Sequence, residues 1–300
     1  MDTIREILFN YLNPRLQGAL EHFDPSFFRQ LSEIRIRADK PLYLYRQGHE
    51  YTASEGFVAT QIDIGETIER LSQYSLYAFE EELRMGYIAL PGGHRVGVVG
   101  KAILDRQTIQ TLRHISGLNF RVAHQVKGCA NSVLPQLLDP HSPHRIMHTM
   151  IISPPGGGKT TLLRDLVRLV SDGVPGVCDG VTVGVVDERS EIAGCYKGVP
   201  QNDVGVRTDV LDGCPKAEGM SILLRAMSPV VIAADELGGE RDARAVEDVL
   251  NAGVKLICTA HGRDLDDIKQ KPSLRGLLDK GIFERFVVLG MGWKTTVIGK

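Results

Sequence analysis

Residues 153–161 read SPPGGGKTT, a stretch that is typical of a phosphate-binding loop. An apolar run over 146–152 precedes it and an amphipathic run over 162–170 follows it, so the sequence predicts a strand, a glycine-rich turn and a helix. The backbone N–H groups of such a turn and the start of the following helix point at one spot and favour an anionic phosphate there. We therefore predict that this segment binds a nucleoside triphosphate.

Individual side chains of the loop have separate predicted roles. Lys159 is expected to reach the β- and γ-phosphates, and the Thr160 hydroxyl is expected to bind Mg²⁺. Ser153 stands where the usual pattern G-x-x-x-x-G-K-[ST] has its first glycine, a substitution that we interpret as minor because three consecutive glycines keep the backbone open. The predicted nucleotide-binding residues are Pro155, Gly156, Gly157, Gly158, Lys159, Thr160 and Thr161.

The composition is that of a globular protein with two domains or one large one, at 300 residues and 43% hydrophobic content. A formal net charge of −2 gives no electrostatic footprint for non-specific binding to nucleic acid. The five cysteines are widely spaced and form no CxxC pair, which favours free thiols in a reducing compartment. The start of the chain does not resemble a signal peptide, and no apolar run approaches the length of a membrane span. We expect a cytoplasmic protein that docks, if at all, peripherally on a membrane complex.

The first part of the chain mixes helical and strand-like patterns. Apolar positions over 3–31 have a helical spacing that breaks near Pro14 and Pro25. Residues 91–94 read PGGH, lie between two strand-like runs and predict a hairpin. The other predicted elements are a helix over 68–85 and strands over 34–37, 41–45, 87–90, 95–99 and 117–122.

Turn-forming and polar residues concentrate over 139–144, where we place a domain boundary between residues 1–140 and residues 141–300. Beyond it the pattern changes to short runs that are apolar at consecutive positions, which suits strands buried on both faces. The second domain is therefore predicted to be α/β with a predominantly parallel sheet, behind a smaller α+β domain. Its predicted strands are 146–152, 181–186, 229–234, 254–259, 285–289 and 294–298, and its predicted helices are 159–171, 218–227, 240–252 and 263–279.

An apolar strand over 230–234 ends in Asp235 and Glu236, about 75 residues after the loop. Asp235 is expected to hold Mg²⁺ opposite Thr160, directly or through water. Glu236 is expected to orient or deprotonate the attacking water, since that task needs a carboxylate beside the γ-phosphate. The alternative is a solvated acidic turn after a buried strand.

Two further strands end in polar residues that we expect at the same edge of the sheet, because the carboxyl ends of parallel strands meet there. The run 183–186 leads into Asp187 and Glu188, and Glu188 is a second candidate for water activation or for support of the metal shell. The run 256–259 leads into His261, and we expect Thr259 and His261 to sense the γ-phosphate by hydrogen bonding. For His261 the alternative is a histidine whose hydrogen bonds are merely satisfied in the core.

Other charged residues invite weaker hypotheses. An arginine supplied by a neighbouring subunit could neutralise the charge that develops on the transferred phosphoryl group, although each candidate could equally form a surface salt bridge. The candidates for this role are Arg113, Arg121, Arg189, Arg207 and Arg225. No paired cysteine or acid supports a metal site at His141, His144 and His148, which we interpret as linker residues.

Longer stretches carry a family resemblance that runs from about residue 30 to the end of the chain. They include LSEIRIR, GYIALPGGHRVGVVGKA, ISGLNFRVA, SPPGGGKTT, VVDERSEIAG, DVGVRTDVLDGCPKAEGM, LLRAMSPVVIAADELG and CTAHG. On these stretches the chain resembles the stage III sporulation protein AA family, which is similar in turn to the hexameric ATPases of type II and type IV secretion.

The resemblance implies a RecA-like P-loop ATPase domain over 141–300 and a smaller N-terminal domain with a docking or mechanical role. It implies a homo-hexameric ring in the mother-cell cytoplasm, docked on membrane-embedded channel proteins around the forespore. Asp187 and Glu188 then fall in the acid box of secretion ATPases, and His261 falls in the histidine box. Glu236 aligns on the catalytic glutamate, although Asp235 departs from the usual glycine before it. Arg225 sits one residue away from the family arginine.

Three functions remain open at this stage. The first is a motor ATPase that uses ATP and Mg²⁺ to power or assemble a sporulation channel. The second is a nucleic-acid-dependent ATPase, for which Arg35, Arg37, Arg95 and Lys101 could form a basic strip, although the net charge speaks against it. The third is a scaffold in which ATP binding orders a ring and turnover is incidental.

Overall fold

The computed structural model describes residues 3–73, 80–106, 108–290 and 294–299. The chain divides into two compact units, Met1–His124 and Gln125–Lys300. The division lies before the turn-rich stretch 139–144 at which the sequence placed a boundary. The reason is that Leu134, Leu137 and Ile146, on both sides of that stretch, belong to the core of the second unit.

Proline and capping residues define the first helices of the N-terminal unit. Pro14 and Pro25 each occupy the first turn of a helix, and the side chains of Asn13 and Asp24 cap these two helices, which confirms the predicted breaks. The described helices of this unit are α1 (Ile4–Tyr11), α2 (Pro14–Leu20), α3 (Pro25–Phe28), α4 (Gln61–Leu71) and α5 (Glu80–Met85).

The single helix predicted over 68–85 was wrong. Helix α4 begins earlier because Thr60 and Asp63 form a capping box at its start. It ends at Leu71, and Gln73 beyond it has a left-handed backbone with φ +48°. The part of the prediction that falls on residues 74–79 lies outside the described residues.

The described residues of this unit form a six-stranded sheet in the order β4-β3-β1-β8-β7-β6, and all its pairs are antiparallel. Its inner face buries Ile34, Ile36, Leu44 and Phe120, whereas alternate residues face away from the core. The predicted strands over 95–99 and 117–122 are parts of a much longer hairpin, β7 and β8. The strands of the unit, including the small pair β2 and β5, are β1 (Leu31–Arg37), β2 (Lys40–Pro41), β3 (Tyr43–Arg46), β4 (His49–Thr52), β5 (Val58–Ala59), β6 (Tyr87–Ala89), β7 (Arg95–Asp105) and β8 (Thr108–Arg121).

The second unit is built on a sheet of seven described strands in the order β15-β14-β16-β17-β11-β18-β19. Every neighbouring pair is parallel except β18 and β19, which confirms the predicted α/β fold with a predominantly parallel sheet. Strand β15 was not predicted. These strands are β11 (Thr149–Ser153), β14 (Val183–Asp187), β15 (Thr208–Asp212), β16 (Val231–Ala234), β17 (Lys255–His261), β18 (Arg285–Leu289) and β19 (Thr295–Gly299).

Helices cover both faces of this sheet, which explains why its strands are apolar at consecutive positions. One core contains Ile151 and Val185 together with Leu166 of α7, and the other contains Ile152 and Val246 of α9. The segment 263–279 forms two helices rather than the one predicted, because Pro272 starts a new one. The helices are α6 (Leu134–Leu137), α7 (Lys159–Asp172), α8 (Lys216–Ala226), α9 (Glu240–Asn251), α10 (Leu265–Lys269) and α11 (Pro272–Asp279), and the short strands are β9 (Leu138–Asp139), β10 (Ser142–Ile146), β12 (Gly173–Val174) and β13 (Cys178–Asp179). None of the helices in the described part of the chain is long and apolar enough to cross a membrane.

Candidate nucleotide site

The glycine-rich loop connects the carboxyl end of β11 to the first residue of α7, as the sequence predicted. Gly156 and Gly158 have left-handed backbones with φ +74° and φ +90°, a conformation that costs glycine little. Gly158 is the N-cap of α7, so the free N–H groups of the first helical turn face the loop. This arrangement fits an anion, because donors and the positive end of the helix converge there.

Ser153 accounts for the need for glycine at position 157. The Ser153 side chain is fully buried, and its hydroxyl donates a hydrogen bond to the Pro154 carbonyl over 3.0 Å. A Cβ atom at Gly157 would lie 1.9 Å from the Ser153 Oγ. Serine at the position of the usual first glycine therefore leaves no room for a side chain at 157.

Lys159 and Thr160 meet the two acids that follow β16. The Lys159 side chain is almost fully buried, and its Nζ lies 3.1 Å from Oε1 of Glu236. The Thr160 hydroxyl donates to Oδ2 of Asp235 over 2.5 Å. The structure thus brings together four residues that the sequence assigned to one site. Of the other loop residues, Pro155 is exposed and Thr161 lies in the first turn of α7.

Thr259 holds both acids in place. It lies on β17, which is inserted between the strand of the loop and the strand of the acids. Its buried hydroxyl donates to Oδ1 of Asp235 and accepts a hydrogen bond from the backbone N–H of Glu236 over 2.8 Å. Glu236 has a left-handed backbone with φ +56°, a strain of about 1–3 kcal/mol for a residue with a Cβ. The hydrogen bond that the Glu236 N–H donates to Thr259 helps to maintain that conformation. The Thr259 side chain therefore contacts the two acids, whereas the sequence predicted that it senses the γ-phosphate.

The Glu236 carboxylate is surrounded by basic groups. Besides Lys159, His261 places its Nε2 2.8 Å from Oε1, and Arg189 places its Nη1 3.2 Å from Oε2. Partial burial raises the pKa of Glu236. The hydrogen bond and the charge of Lys159, followed by the charges of His261 and Arg189, lower the pKa by more than burial raises it, so the pKa lies below its ordinary value. Glu236 is therefore a carboxylate at neutral pH, the form that a general base requires.

The two acids after β14 have different environments. Asp187 is buried and accepts hydrogen bonds from the backbone N–H groups of Glu191, Ile192 and Ala193 at 2.7–3.0 Å, so it organises the following turn. Burial raises the pKa of Asp187 despite these bonds. Glu188 points instead to Lys216 at the start of α8, with which it forms an ion pair. One narrow cleft is nevertheless lined by both predicted base candidates, since its wall contains Asp187, Glu188, Arg189, Glu191, Lys216, Asp235 and Glu236.

The remaining candidates lie elsewhere. Among the proposed arginines only Arg189 contacts the described site, whereas Arg207 bonds to the Ser171 carbonyl and Arg225 to the Ser221 carbonyl of its own helix. Arg113 and Arg121 belong to the N-terminal unit. No group of three or more His, Cys, Asp or Glu side chains in the described ranges is arranged to hold a metal ion. His148 accepts a hydrogen bond from the Leu256 N–H, and burial lowers its pKa to about 4.

One residue of the site, Lys216, is not among the residues predicted from the sequence, and Arg189, predicted as an arginine that acts on a neighbouring subunit, contacts Glu236 of its own chain. Arg189 lies in the turn after β14 and Lys216 is the first residue of α8, and no periodic pattern marks either position. The long DGCPKAEGM stretch that contains Lys216 was the available signal.

The residues present fit a nucleotide and a divalent cation. The loop and Lys159 offer donors to phosphate oxygens, and the Thr160 hydroxyl lies in contact with the Asp235 carboxylate. Hydroxyl, carboxylate and water oxygens are the ligands that Mg²⁺ prefers, and it usually keeps several waters. The fold and the site together define a P-loop protein whose acidic strand is separated from the loop strand by one further strand.

The family model for "Sporulation stage III, protein AA" matches residues 2–299, and the chain belongs to that family. It is 42% identical over 289 residues to stage III sporulation protein AA of Bacillus subtilis, covering 96% of this chain and 91% of that protein. A second relative, protein SEEDLING PLASTID DEVELOPMENT 1 of Arabidopsis thaliana, is 31% identical over 166 residues, which are 55% of this chain and 22% of that protein. The family resemblance found in the sequence is confirmed.

Solved structures of two ATPase-type proteins share the fold. The ATPase DotB of Legionella pneumophila aligns with a TM-score of 0.58 at 12% identity, covering 94% of this chain and 78% of that one. The pilus retraction motor PilT, solved with bound ADP, aligns with a TM-score of 0.55 at 16% identity, covering 91% and 79%. At these identities the likeness establishes that this chain shares the fold of DotB and PilT, and it does not establish an activity.

Proposed function

We propose that this protein is a Mg²⁺-dependent ATPase and that hydrolysis makes it a motor of the secretion type. The observation that carries the proposal is that Lys159 and Thr160 of the loop contact Glu236 and Asp235, respectively. A phosphate-binding loop facing a paired acid is the arrangement that phosphoryl transfer to water requires. The fold shared with an ATPase and with a motor that binds ADP supports the same conclusion.

The side chains then have the following tasks. The loop N–H groups and Lys159 hold the phosphates, and Thr160 and Asp235 hold Mg²⁺, which supplies charge neutralisation to the phosphate oxygens when bound. Glu236 accepts the proton of the attacking water. His261 and Arg189 position the Glu236 carboxylate, and Glu188 is a second acid in the same cleft.

The Lys159 ammonium group, which contacts the Glu236 carboxylate, is also the group that the loop offers to a phosphate. Because Lys159 cannot serve a phosphate and Glu236 equally well, phosphate binding competes with the pair for the same ammonium group. Nucleotide binding thus releases the Glu236 carboxylate from Lys159 when the phosphate and the attacking water are in the site. His261, on the same oxygen Oε1 as Lys159, and Arg189, on Oε2, continue to hold the carboxylate in the site.

The wider role follows from the family. We propose that the protein forms a homo-hexameric ring in the mother-cell cytoplasm, bound peripherally to membrane-embedded channel proteins that it powers or assembles. The N-terminal unit is the docking or mechanical part. Membership of a sporulation family and a fold shared with secretion ATPases support this assignment.

The test is the ATPase rate as a function of protein concentration with Mg²⁺, for wild type, Glu236→Gln and the control Glu69→Gln on the exposed side of α4. We expect a rate that rises faster than linearly, a loss of about 10²-fold or more in Glu236→Gln, and retained nucleotide binding. The Glu69→Gln control should match wild type. Hydrolysis undiminished by Glu236→Gln would remove the proposed base.

Two alternatives are distinguished by the same proteins. A nucleic-acid-dependent ATPase is favoured by one observation, the common sheet face of Arg35, Arg37 and Arg95, and predicts strong stimulation by single-stranded DNA. A scaffold that needs only nucleotide binding predicts that cells carrying Glu236→Gln still sporulate. A motor requires that they do not.

A further inference from the structure

The outer face of the N-terminal sheet carries arginines around a trough. Arg35 and Arg37 alternate with the buried Ile34 and Ile36 on β1, so their side chains lie on the face opposite the core. The register places Arg121 of β8 on the same face, between β1 and Arg95 of β7. The trough has a volume of about 440 Å³ and is lined among others by Arg35, Arg37, Gly97, Gly117, Asn119 and Arg121. We call it the arginine trough.

Glycines form its floor. Gly97 and Gly117 project no side chains, so the surface is low there, although the exposed side chain of Val99 lies beside Gly117. Arg37 and Arg121 are exposed at its sides. Among the inner strands Glu33 neutralises part of this charge, because its carboxylate pairs with Arg35 over 2.7 Å. The arginines outnumber the acids on these strands, and the trough therefore favours an anionic ligand.

The aromatic rings on this face speak against nucleobases. The guanidinium group of Arg35 lies 5.4 Å from the ring centre of Tyr45, and that of Arg95 lies 5.1 Å from the ring centre of Tyr87. Binding of single-stranded nucleic acid depends on open ring faces on which bases stack. Here cationic groups already cover these rings. Tyrosine and arginine side by side are instead typical of protein–protein interfaces.

We propose that the arginine trough is the docking surface for an acidic segment of a partner protein. The segment presents Asp or Glu side chains to Arg37 and Arg121, each of which can bind a carboxylate through two N–H groups. Because the partner is that of the proposed motor, the inference rests on the proposed function. It adds the chemistry by which the N-terminal unit recognises the partner.

The test measures binding of a fluorescein-labelled 12-residue peptide of alternating glutamate and serine to the full-length protein, by fluorescence anisotropy without nucleotide. We expect salt-sensitive binding that is about tenfold or more weaker in Arg37→Ser/Arg121→Ser. The control Arg29→Ser/Arg275→Ser removes the same charge from exposed positions outside the trough and should bind as wild type. Arg37→Lys/Arg121→Lys should bind with intermediate affinity, because lysine keeps the charge but loses the planar fork.

Three results would overturn the proposal. The first is equal peptide affinity in all four proteins, and the second is tighter binding of a 12-residue oligo-dT than of the acidic peptide. The third is a change in oligomeric state of the trough variant in sedimentation with no peptide binding by wild type, which would assign the face to copies of this chain. Circular dichroism checks that the variants fold. Since no ATP is present, failure here leaves the proposed hydrolysis untouched.

Discussion

The Ser153 hydroxyl occupies the space that a side chain at Gly157 would need. This predicts that position 157 tolerates alanine only when position 153 is glycine, as in the usual loop pattern. In Gly157→Ala the new Cβ would meet Ser153 Oγ at 1.9 Å, the Pro154 carbonyl at 3.2 Å and Ser153 Cβ at 3.3 Å. The first contact is impossible, so either the Ser153 hydroxyl turns away or the loop shifts. In Ser153→Gly/Gly157→Ala two of the three contacts no longer exist.

The magnitude follows from these two ways of relieving the clash. Turning the hydroxyl away loses its hydrogen bond to Pro154, worth about 0.5–1.5 kcal/mol, and shifting the loop costs about 1–3 kcal/mol as in other overpacked sites. Because the loop binds the phosphates, we expect nucleotide affinity to fall by about 1–3 kcal/mol, or about 5- to 150-fold. The double variant should recover most of this loss, since the contact with the Pro154 carbonyl alone is merely tight.

The assay is a fluorescence titration with mant-ATP and Mg²⁺ on wild type, Ser153→Gly, Gly157→Ala and the double variant. Gly18→Ala, where nothing lies within 4 Å of an added Cβ, controls for the substitution itself. Ser153→Gly alone should bind within a few fold of wild type. If the double variant binds as weakly as Gly157→Ala, Ser153 is not the residue that excludes a side chain at 157, and the reasoning is refuted.

Three further predictions concern stability, measured as the free energy of unfolding in urea. The lowered pKa of Glu236 means that its ion pairs contribute stability above its ordinary value of 4.5 and lose it as the pH falls below that value. The excess stability of wild type over Glu236→Gln should therefore shrink as the pH falls from 4.5 through the lowered pKa, and a pH-independent difference would contradict the ionic role. Asp187→Asn replaces one of the two carboxylate oxygens that accept backbone N–H groups by an amide donor and should cost about 1–3 kcal/mol, whereas a neutral effect would mean that the turn does not depend on it. Gly219→Ala places a Cβ 2.5 Å from Val186 Cγ1 and should destabilise the protein by about 1–3 kcal/mol. Gly65→Ala adds a Cβ in open space on α4 and should stabilise the protein by about 0.5–1 kcal/mol. Effects of the same sign in the two variants would contradict the packing argument.

Much of the second unit could be predicted because local patterns and tertiary environment agree there. Strands β11, β16 and β17 are buried on both faces, so their middle residues are apolar at consecutive positions and the strands could be predicted, although the predicted run 146–152 begins three residues before β11. Strand β15 was missed because Thr208–Asp212 is only half-buried at the sheet edge and begins and ends with polar residues. The start of α4 is marked in the sequence by the capping box of Thr60 and Asp63, a signal that hydrophobic periodicity does not contain.

The residues that would share the candidate site could be predicted, but not their contacts. Strand ends in a parallel sheet meet at one edge, and this rule alone brings Asp235, Glu188 and His261 near the loop. The rule does not say that Glu188 turns to a lysine of α8, or that Glu236 adopts a left-handed backbone. Those details depend on loop conformations stabilised by long-range hydrogen bonds, which leave no periodic trace in the sequence. The catalytic roles themselves remain predictions.

Strand β17 has a mechanical consequence, since it lies between the loop strand and the acid strand. Adjacent strands are about 4.8 Å apart, so the axes of the loop strand and the acid strand lie about 10 Å from each other, and the side chains of Lys159 and Thr160 span this distance to reach Glu236 and Asp235. At its carboxyl end it carries Thr259, which grips both acids, and at its other end the buried Lys255 is tied to Glu284 over 2.8 Å. Because β17 is hydrogen-bonded to both β11 and β16, a displacement of this one strand would change the positions of the loop and of the two acids together.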